Sequence, residues 1–277
     1  MEARVNGTRL FYTTVGAGRP LLVMHGGLGW DHTYLRPGLD ALGGQATVVY
    51  YDHRGNGRSA APGDWNAVDH ATWADDADAL RAHLGHERMV LFGHSYGGFL
   101  ALEYALRYPD RLDGLIISGA GPTLDHQDAA FANAQERGTP EQVETIADLL
   151  SGPVDSDAAL EAGTATILPL YFHAPDDAPL GEIIDAMRFN ADAFNRAFFH
   201  CLPQYDVRDR LSEIDVPTLV LGGRHDWIQP PAHSVEPLHD ALPHAENGVF
   251  ERSGHCPFIE EPDVFAEVVT DWLYRLP

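Results

Sequence analysis

Short apolar runs alternate with segments of helical periodicity over the first 120 residues of the chain. Strand-like runs occur at residues 9–14, 21–24, 46–51, 89–92 and 112–118. Between them, residues 73–84 carry apolar side chains at the spacing of one face of a helix. Alternation of this kind predicts an α/β fold with a mostly parallel, twisted sheet that has helices on both faces.

The pattern changes in the middle of the chain. From residue 121 to residue 204, apolar residues fall at helical intervals in short segments that Gly and Pro interrupt. Strand character returns at residues 217–222 and 248–250, and residues 262–276 carry the pattern of a closing helix. We therefore predict one core domain formed by residues 1–120 and 205–277, with residues 121–204 inserted into it as a helical cap.

The best candidate for a nucleophile lies where the fourth of these strands ends. The strand runs directly into Gly93-His94-Ser95-Tyr96-Gly97, and a helical pattern follows. A G-x-S-x-G motif between a strand and a helix is typical of a nucleophile elbow, a strained turn that lifts the serine hydroxyl above the sheet. Small residues around the turn let strand and helix pack closely, and Gly93, Gly97 and Gly98 meet this requirement.

A serine hydroxyl needs a histidine base, and the base needs a carboxylate that fixes its tautomer. Asp226 directly follows the strand that begins at Pro217, and His255 directly follows the strand of residues 248–250. Asp215 precedes its strand and fits this position less well. We predict a triad with Ser95 as nucleophile, His255 as base and Asp226 as the residue that orients it.

Stabilisation of an oxyanion requires a second backbone amide from a loop after an early strand. The strand at residues 21–24 runs into His25-Gly26-Gly27. We predict that the N–H groups of Gly27 and Tyr96 are the two donors. The histidine of this loop is expected to shape the backbone rather than to act as a base.

Composition excludes several other kinds of chemistry. The formal net charge of −23 disfavours binding to nucleic acid and to anionic membranes. All 18 basic residues are arginine, so no lysine is present to form a Schiff base or to hold a phosphate in a Walker motif. Cys201 and Cys256 are predicted to be buried free thiols. No metal-ligand motif occurs, and we predict neither a metal nor a cofactor.

The loop after the third predicted strand carries a G-x-G-x-x-A pattern that begins at Gly55. No acid at the end of a second strand follows, so we do not expect this loop to bind a dinucleotide. Asp52 and Arg54 of this loop are expected to brace the elbow. The N-terminus carries no signal-peptide pattern and no segment approaches the length of a membrane span, so we expect a cytoplasmic protein.

Four stretches together carry a family resemblance, namely HGGLG, YYDHRGNGRS, GHSYGG and GGRHDWIQP. With them the chain resembles the α/β-hydrolase superfamily over nearly its whole length, and it is most similar to the proline iminopeptidase branch. The resemblance implies a helical cap after the sixth strand, release of an N-terminal residue, usually proline, and acidic side chains that receive the α-ammonium group. Here Trp227 stands where several family members have an acid, and Leu28 replaces the proline of HGGPG.

The cap offers two sets of side chains that bear on the substrate. Its acids are expected to form a solvated face: Glu136, Glu141, Glu144, Glu161 and Glu182. Its aromatic residues either line an apolar pocket above the nucleophile or pack the cap against the core: Tyr171, Phe172, Phe189, Phe194, Phe198 and Phe199. We predict substrate contacts for Tyr171, Phe172, Phe198 and Trp227.

Several functions remain open at this point. The first is a serine hydrolase that releases an N-terminal residue from a short peptide or small amide. A carboxylesterase or lactonase acting on small apolar esters is the second, and hydrolases of C–C bonds share the same fold. A protein of a different class, which binds a small ligand without turning it over, is the third.

Overall fold

The computed structural model describes all 277 residues, and eight strands form a single sheet. The strands are β1 (Glu2–Val5), β2 (Thr8–Val15), β3 (Arg19–Met24), β4 (Ala46–Tyr51), β5 (Met89–His94), β6 (Leu112–Ser118), β7 (Thr218–Gly223) and β8 (Ala245–Phe250). Their order across the sheet is β1-β2-β4-β3-β5-β6-β7-β8. Only the β1–β2 and β2–β4 pairs are antiparallel, which confirms the predicted mostly parallel sheet.

Helices cover both faces of this sheet. One face packs against α2 (His70–His83), α3 (Tyr96–Arg107) and α9 (Val235–Ala241). The other packs against α1 (Arg36–Leu39), α10 (Pro257–Glu260) and α11 (Pro262–Arg275). Successive strand residues alternate between the two cores, as in β3, where Leu22 joins the first core and Leu21 joins the second. The apolar runs of the sequence therefore reflect strands that are buried on both sides.

The first strand was missed by sequence analysis. In β1 only Ala3 is buried, so the segment shows no apolar run. It pairs with β2 through a tight turn in which Asn6 and Gly7 have φ angles of 45° and 70°. An Asn-Gly pair at positive φ is the standard two-residue hairpin turn, and this dipeptide was the available signal.

Residues 121–204, the helical insert, contain no strand. The helices are α4 (Gln127–Arg137), α5 (Pro140–Ser151), α6 (Asp157–Ile167), α7 (Leu180–Ala186), α8 (Ala191–Arg196) and a π-helix (Ala197–Cys201). At the base of the insert, Thr123 pairs with Asp206, and the Val207 N–H donates to the Pro122 carbonyl at 3.0 Å. The chain thus leaves the sheet after β6 and returns to it beside the same place.

Local sequence explains where the insert helices start. At α5, the Thr139 hydroxyl accepts from the Gln142 N–H, and the Gln142 side chain accepts from the Thr139 N–H. This capping box, with Pro140 in the first turn, satisfies amides that a helix N-terminus leaves free. No helix anywhere in the chain has the length and apolar character required to cross a membrane.

Candidate active site

Ser95 lies in the turn between β5 and α3 with φ 53° and ψ −122°, outside the region that side chains prefer. The predicted strain at this turn is confirmed. A Cβ on Gly93 would lie 2.3 Å from the Gly97 carbonyl oxygen, and one on Gly97 would lie 2.1 Å from the Met24 carbonyl oxygen. Neither position accepts a side chain, so the glycines are required for strand and helix to meet at this turn.

His255 and Asp226 form a buried pair at the carboxyl ends of the neighbouring strands. The His255 Nδ1 lies 2.6 Å from Asp226 Oδ2, and the second carboxylate oxygen accepts the N–H groups of Ile228 and Gln229 at 3.0 and 2.9 Å. Because a carboxylate only accepts, the proton sits on Nδ1 and Nε2 keeps its lone pair. This Nε2 is buried and has no hydrogen-bond partner in the protein. His255 and Ser95 line the same cavity.

Gly119 was not singled out in the sequence, although it follows β6 directly. It has φ 62°, and a Cβ there would lie 3.0 Å from His255 Cε1 and 3.1 Å from Nδ1. Just before it, the Ser118 carbonyl accepts the Ser95 N–H at 2.8 Å. The end of β6 therefore supports the elbow and leaves room for the imidazole. A glycine at the carboxyl end of a central strand was the signal for this role.

A second hydrogen-bonded chain connects three loops of the site. The Gly26 N–H donates to the Tyr34 hydroxyl at 2.8 Å, and that hydroxyl donates to His94 Nδ1 at 2.7 Å. The His94 Nε2–H donates to the His255 carbonyl at 2.9 Å. Burial, and then the neighbouring His255, hold the pKa of His94 well below its usual value, which keeps the ring neutral. Sequence analysis missed Tyr34 and this role of His94.

The loop after β3 touches the elbow. A Cβ on Gly26 would lie 2.7 Å from Ser95 Cβ, and the N–H groups of Gly27 and Tyr96 have no acceptor in the protein. His25 shapes this loop, as expected, because Nδ1–H donates to the Gly26 carbonyl at 2.9 Å and Nε2 accepts the His53 N–H at 3.1 Å. Two amides without an acceptor therefore belong to segments that adjoin Ser95.

The helical insert is hydrogen-bonded to the loops of the site. The His255 N–H donates to the Tyr171 carbonyl at 2.7 Å, and the Asn190 N–H donates to the Gly29 carbonyl at 2.8 Å. The Glu260 carboxylate accepts the Gly254 N–H at 2.6 Å with one oxygen and the His173 N–H at 2.7 Å with the other. Burial raises the pKa of this carboxyl. The insert is thus tied to the histidine loop and to the glycine loop.

A cavity of about 170 Å³ lies between the insert and the carboxyl ends of the strands. Of its 32 lining residues, 24 are hydrophobic, and none is Asp, Glu or Arg. All predicted site residues except Asp226 lie in its wall: Ser95, His255, Gly27, Tyr96, Trp227, Tyr171, Phe172 and Phe198. Phe194 lines it as well, whereas Phe189 and Phe199 do not. A volume of this order accommodates a group as large as a benzene ring.

The acids of the insert lie outside this cavity. All five that were considered are exposed to solvent: Glu136, Glu141, Glu144, Glu161 and Glu182. The solvated face expected for them is confirmed. The carboxylate that the family resemblance implies for an α-ammonium group is absent from the cavity wall.

One expectation about the loop after β4 was wrong. Arg54 pairs with Asp76 at 2.6 Å, and Asp52 pairs with His32 Nδ1 at 2.5 Å and accepts the Arg58 N–H at 2.8 Å. Neither side chain is hydrogen-bonded to the elbow. Their partners hold the loop itself and attach it to α2, because the sheet places this loop beside the glycine loop rather than beneath Ser95.

The two cysteines, Cys201 and Cys256, are both buried free thiols, as predicted. Burial raises the pKa of Cys201 to about 11, so this thiol is protonated near neutral pH. No group of three or more His, Cys, Asp or Glu side chains is arranged to hold a metal ion.

Comparisons with known proteins agree with this architecture. A family model described as alpha/beta hydrolase fold matches residues 19–156 and 185–262. The proline iminopeptidase PfmaB of Pestalotiopsis fici is 28% identical over 98% of both chains, and the proline iminopeptidase of Saccharolobus solfataricus is 27% identical over 98% of this chain and 90% of its own.

Solved structures give the same result. An alpha/beta fold family hydrolase from Bacillus anthracis has a TM-score of 0.83 at 22% identity and covers 98% of both chains. The enol-lactonase from Burkholderia xenovorans has a TM-score of 0.74 at 25% identity, over 99% of this chain and 100% of its own. The chain therefore belongs to the α/β-hydrolase fold family, as a hydrolase similar to proline iminopeptidases.

Proposed function

We propose that this protein is a serine hydrolase of small, uncharged esters or lactones, with Ser95, His255 and Asp226 as its catalytic triad. The observation that carries this proposal is the cavity above Ser95, whose wall is apolar and contains no charged carboxylate or guanidinium group. Residues 121–204 serve in this proposal as the cap that selects the substrate, which is a small molecule.

The first half of the reaction forms an acyl-enzyme. The free lone pair of His255 Nε2 takes the proton of the Ser95 hydroxyl as Oγ attacks the substrate carbonyl carbon. Asp226 stabilises the resulting imidazolium, and the N–H groups of Gly27 and Tyr96 donate to the oxyanion. Each such donor contributes about 3 kcal/mol of transition-state stabilisation. Nε2–H then protonates the departing alkoxide as the C–O bond breaks.

The second half releases the acid. His255 takes a proton from a water molecule, the hydroxide attacks the acyl carbon, and a second oxyanion forms between the same two amides. Collapse of this intermediate breaks the bond to Ser95 Oγ, which regains its proton from Nε2. A carboxylic acid leaves and the resting enzyme is restored. In a lactone the alcohol and the acid belong to one product molecule.

Electrostatics favours uncharged substrates over peptides with a free N-terminus. An ammonium group in an apolar cavity needs a paired carboxylate, because an unpaired buried charge costs several kcal/mol. Trp227 occupies the position after the triad aspartate, and the face of an indole attracts a cation only weakly when compared with a carboxylate. The structural likeness to an enol-lactonase points in the same direction.

Release of an N-terminal proline is the second candidate. It is favoured by the curated relatives, since proline iminopeptidases about 28% identical to the chain match it over nearly its full length. In that case the substrate ammonium would have to be neutralised by a group that the cavity wall lacks.

A matched pair of substrates separates the two candidates. Prolyl p-nitroanilide and cyclopentanecarbonyl p-nitroanilide share the scissile bond and a five-membered ring, but only the first carries an ammonium group. We expect kcat/KM to be roughly 100-fold or more higher for the cyclopentanecarbonyl anilide than for the prolyl anilide. The corresponding p-nitrophenyl ester of cyclopentanecarboxylic acid should also be a better substrate than the prolyl anilide.

The controls use the same preparation. Ser95→Ala should abolish turnover of every compound, and a fluorophosphonate should label the unmodified protein at Ser95. Preferential cleavage of prolyl p-nitroanilide would contradict the ester and lactone assignment and would establish the second candidate. Absence of both labelling and turnover would leave only a ligand-binding role.

A further inference from the structure

Besides His255 Nε2 and the Tyr96 hydroxyl, three buried polar atoms in the wall of the apolar cavity have no hydrogen-bond partner. They are His126 Nδ1, Trp227 Nε1 and Gln229 Oε1. The three residues are 5%, 4% and 3% exposed, and all of them line the cavity. Buried polar atoms in native proteins are almost always paired, because an unmade hydrogen bond leaves the cost of desolvation uncompensated. Such a cluster in a cavity wall marks a place where a ligand supplies the missing partners.

The ring of His126 is fixed so that it presents an acceptor. Nε2 lies 3.1 Å from the Ile228 carbonyl, which accepts only, so the proton is on Nε2. The ring stacks on His233 with centroids 5.0 Å apart and planes inclined by 7°. Burial lowers the pKa of His126, which keeps the ring neutral near neutral pH. The free Nδ1 therefore offers a lone pair to the cavity.

Gln229 lies beside the same corner of the wall. Its N–H donates to Asp226 Oδ1 at 2.9 Å and its carbonyl accepts the Ser234 hydroxyl at 2.9 Å, which fixes the backbone. A Cβ on Gly121 would lie 3.5 Å from Gln229 Oε1 and 2.6 Å from the His233 carbonyl oxygen. The free amide oxygen and the stacked imidazoles therefore share one corner, and this corner stays open because residue 121 has no side chain.

Trp227 supplies a donor to the same cavity. Its carbonyl accepts from Asn133 Nδ2 at 3.1 Å, and its ring meets the edge of Tyr171 with centroids 5.6 Å apart. An indole N–H only donates. These three atoms thus offer one donor and two acceptors, and the cavity wall contains no Asp, Glu or Arg.

We propose that His126, Trp227 and Gln229 form a polar subsite for a neutral carboxamide-type group on the substrate, at a distance from the scissile bond. This inference rests on the proposed function, since the group belongs to the ester or lactone that Ser95 attacks. A carboxamide offers one carbonyl acceptor and two N–H donors, the complement of the three atoms. A carboxylate cannot donate to His126 or Gln229, and an ammonium cannot accept from Trp227, so both charged groups are mismatched.

The test uses p-nitrophenyl esters that differ only at the far end of the acyl chain. The terminal group of the acyl chain is a carboxamide, an isopropyl group of the same shape, or a carboxylate. The number of methylenes between this group and the ester carbonyl is varied one at a time. A parallel series of alkyl esters carries the same terminal groups on the alcohol part. We expect kcat/KM at the best spacer to be at least about tenfold higher for the carboxamide than for the isopropyl end, because a site built for hydrogen bonds rejects an analogue that lacks them.

Gln229→Leu and Trp227→Phe should each lower this ratio by roughly fivefold or more, since each removes one hydrogen bond to the ligand. In the ligand-free protein, Gln229→Leu should leave the Tm unchanged or raise it, because it removes an unpaired buried polar group. Gln135→Leu, the same change at an exposed position of α4, is the control and should leave the ratio unchanged.

The outcomes distinguish the subsite from the proposed function. If Ser95 is labelled by fluorophosphonate and the isopropyl esters are preferred at every spacer in both series, the subsite is wrong and the hydrolase assignment stands. If Gln229→Leu lowers the Tm and leaves the ratio unchanged, the side chain is structural and the subsite is again wrong. If the protein is neither labelled nor active on any ester, the proposed function fails and the subsite fails with it.

Discussion

The two walls of the cavity are built on different principles. On the sheet side, Ser95 and His255 are held by backbone geometry and by directional hydrogen bonds, most of them shorter than 3 Å. On the insert side, the wall consists mainly of apolar side chains from several short helices, whose packing has no preferred direction. In the proposed function, the sheet wall supplies the reacting groups and the insert wall helps to select the substrate.

The largest expected effect comes from removing the hydroxyl of Ser95 from the sheet wall. Ser95→Ala should lower kcat by a factor of about 10⁴ to 10⁶, because triad members act as a unit. The Tm should change little, since alanine keeps the backbone angles of the elbow as readily as serine does. Steady-state rates on the cyclopentanecarboxylate ester and a thermal melt measure the two quantities. A residual rate within tenfold of the unmodified protein would contradict the role of Ser95.

The next effect comes from placing a charge at Trp227, which lies in the loop after β7 and packs against Tyr171 of the insert. Trp227→Glu introduces a carboxylate after Asp226, at a position where the side chain is 4% exposed. We expect the kcat/KM ratio of the prolyl to the cyclopentanecarbonyl anilide to rise by roughly 100-fold, because the ammonium gains a partner. Loss of the buried indole should also destabilise the fold by about 3–5 kcal/mol.

Trp227→Gln is the control for this change, since it removes the same ring without adding charge. If the kcat/KM ratio of the prolyl to the cyclopentanecarbonyl anilide rises equally in both variants, the size of the cavity, rather than its charge, determines the substrate preference. The proposed role of charge in substrate selection would then be wrong.

A smaller effect is expected from the hydrogen-bonded chain behind the sheet wall. Tyr34→Phe leaves the Gly26 N–H and His94 Nδ1 buried without partners, which should cost about 1–3 kcal/mol of stability. We expect kcat to fall about tenfold with little change in KM, because both the glycine loop and the His255 backbone lose support. Tyr274→Phe, at a residue 69% exposed, is the matched control and should change neither quantity.

The smallest expected effect is a pH dependence of the free energy of unfolding, which arises from buried histidines in and beside the sheet wall. Burial lowers the pKa values of His25, His53 and His94 below the usual 6.5. In the window between 6.5 and these lowered values the unfolded chain binds more protons than the folded one, so stability falls as the pH drops through that window. Denaturant melts from pH of about 8 to about 5 should therefore show a steady loss of unfolding free energy below 6.5. A flat profile would contradict this account.

The parts of the site that follow local rules could be predicted from the sequence. Ser95 directly follows β5, and Asp226 and His255 lie in the loops after β7 and β8. Parallel strands bring these positions to one edge of the sheet. The strain at the elbow followed from the glycines around it. Catalytic roles for these residues stay predictions until the labelling and substitution experiments are done.

The remaining parts depend on contacts between distant segments. Tyr34 and His94 are 60 residues apart, and nothing in either segment signals their hydrogen bond. Likewise, the sequence around Glu260 does not distinguish it from an ordinary surface acid. Only the fold shows that its carboxylate accepts the N–H groups of Gly254 and His173. Helical periodicity shows that the insert has an apolar face, but which aromatic residues reach the cavity depends on how several short helices pack together.

The hydrogen bond between the Tyr171 carbonyl and the His255 N–H joins the insert directly to the loop of the predicted base. The insert carries the carbonyl that holds the His255 N–H, and Asn190 holds the Gly29 carbonyl of the glycine loop in the same way. A movement of the insert away from these loops would break both hydrogen bonds at once, so the position of the insert is mechanically linked to the backbone of the loops that carry His255 and Gly27.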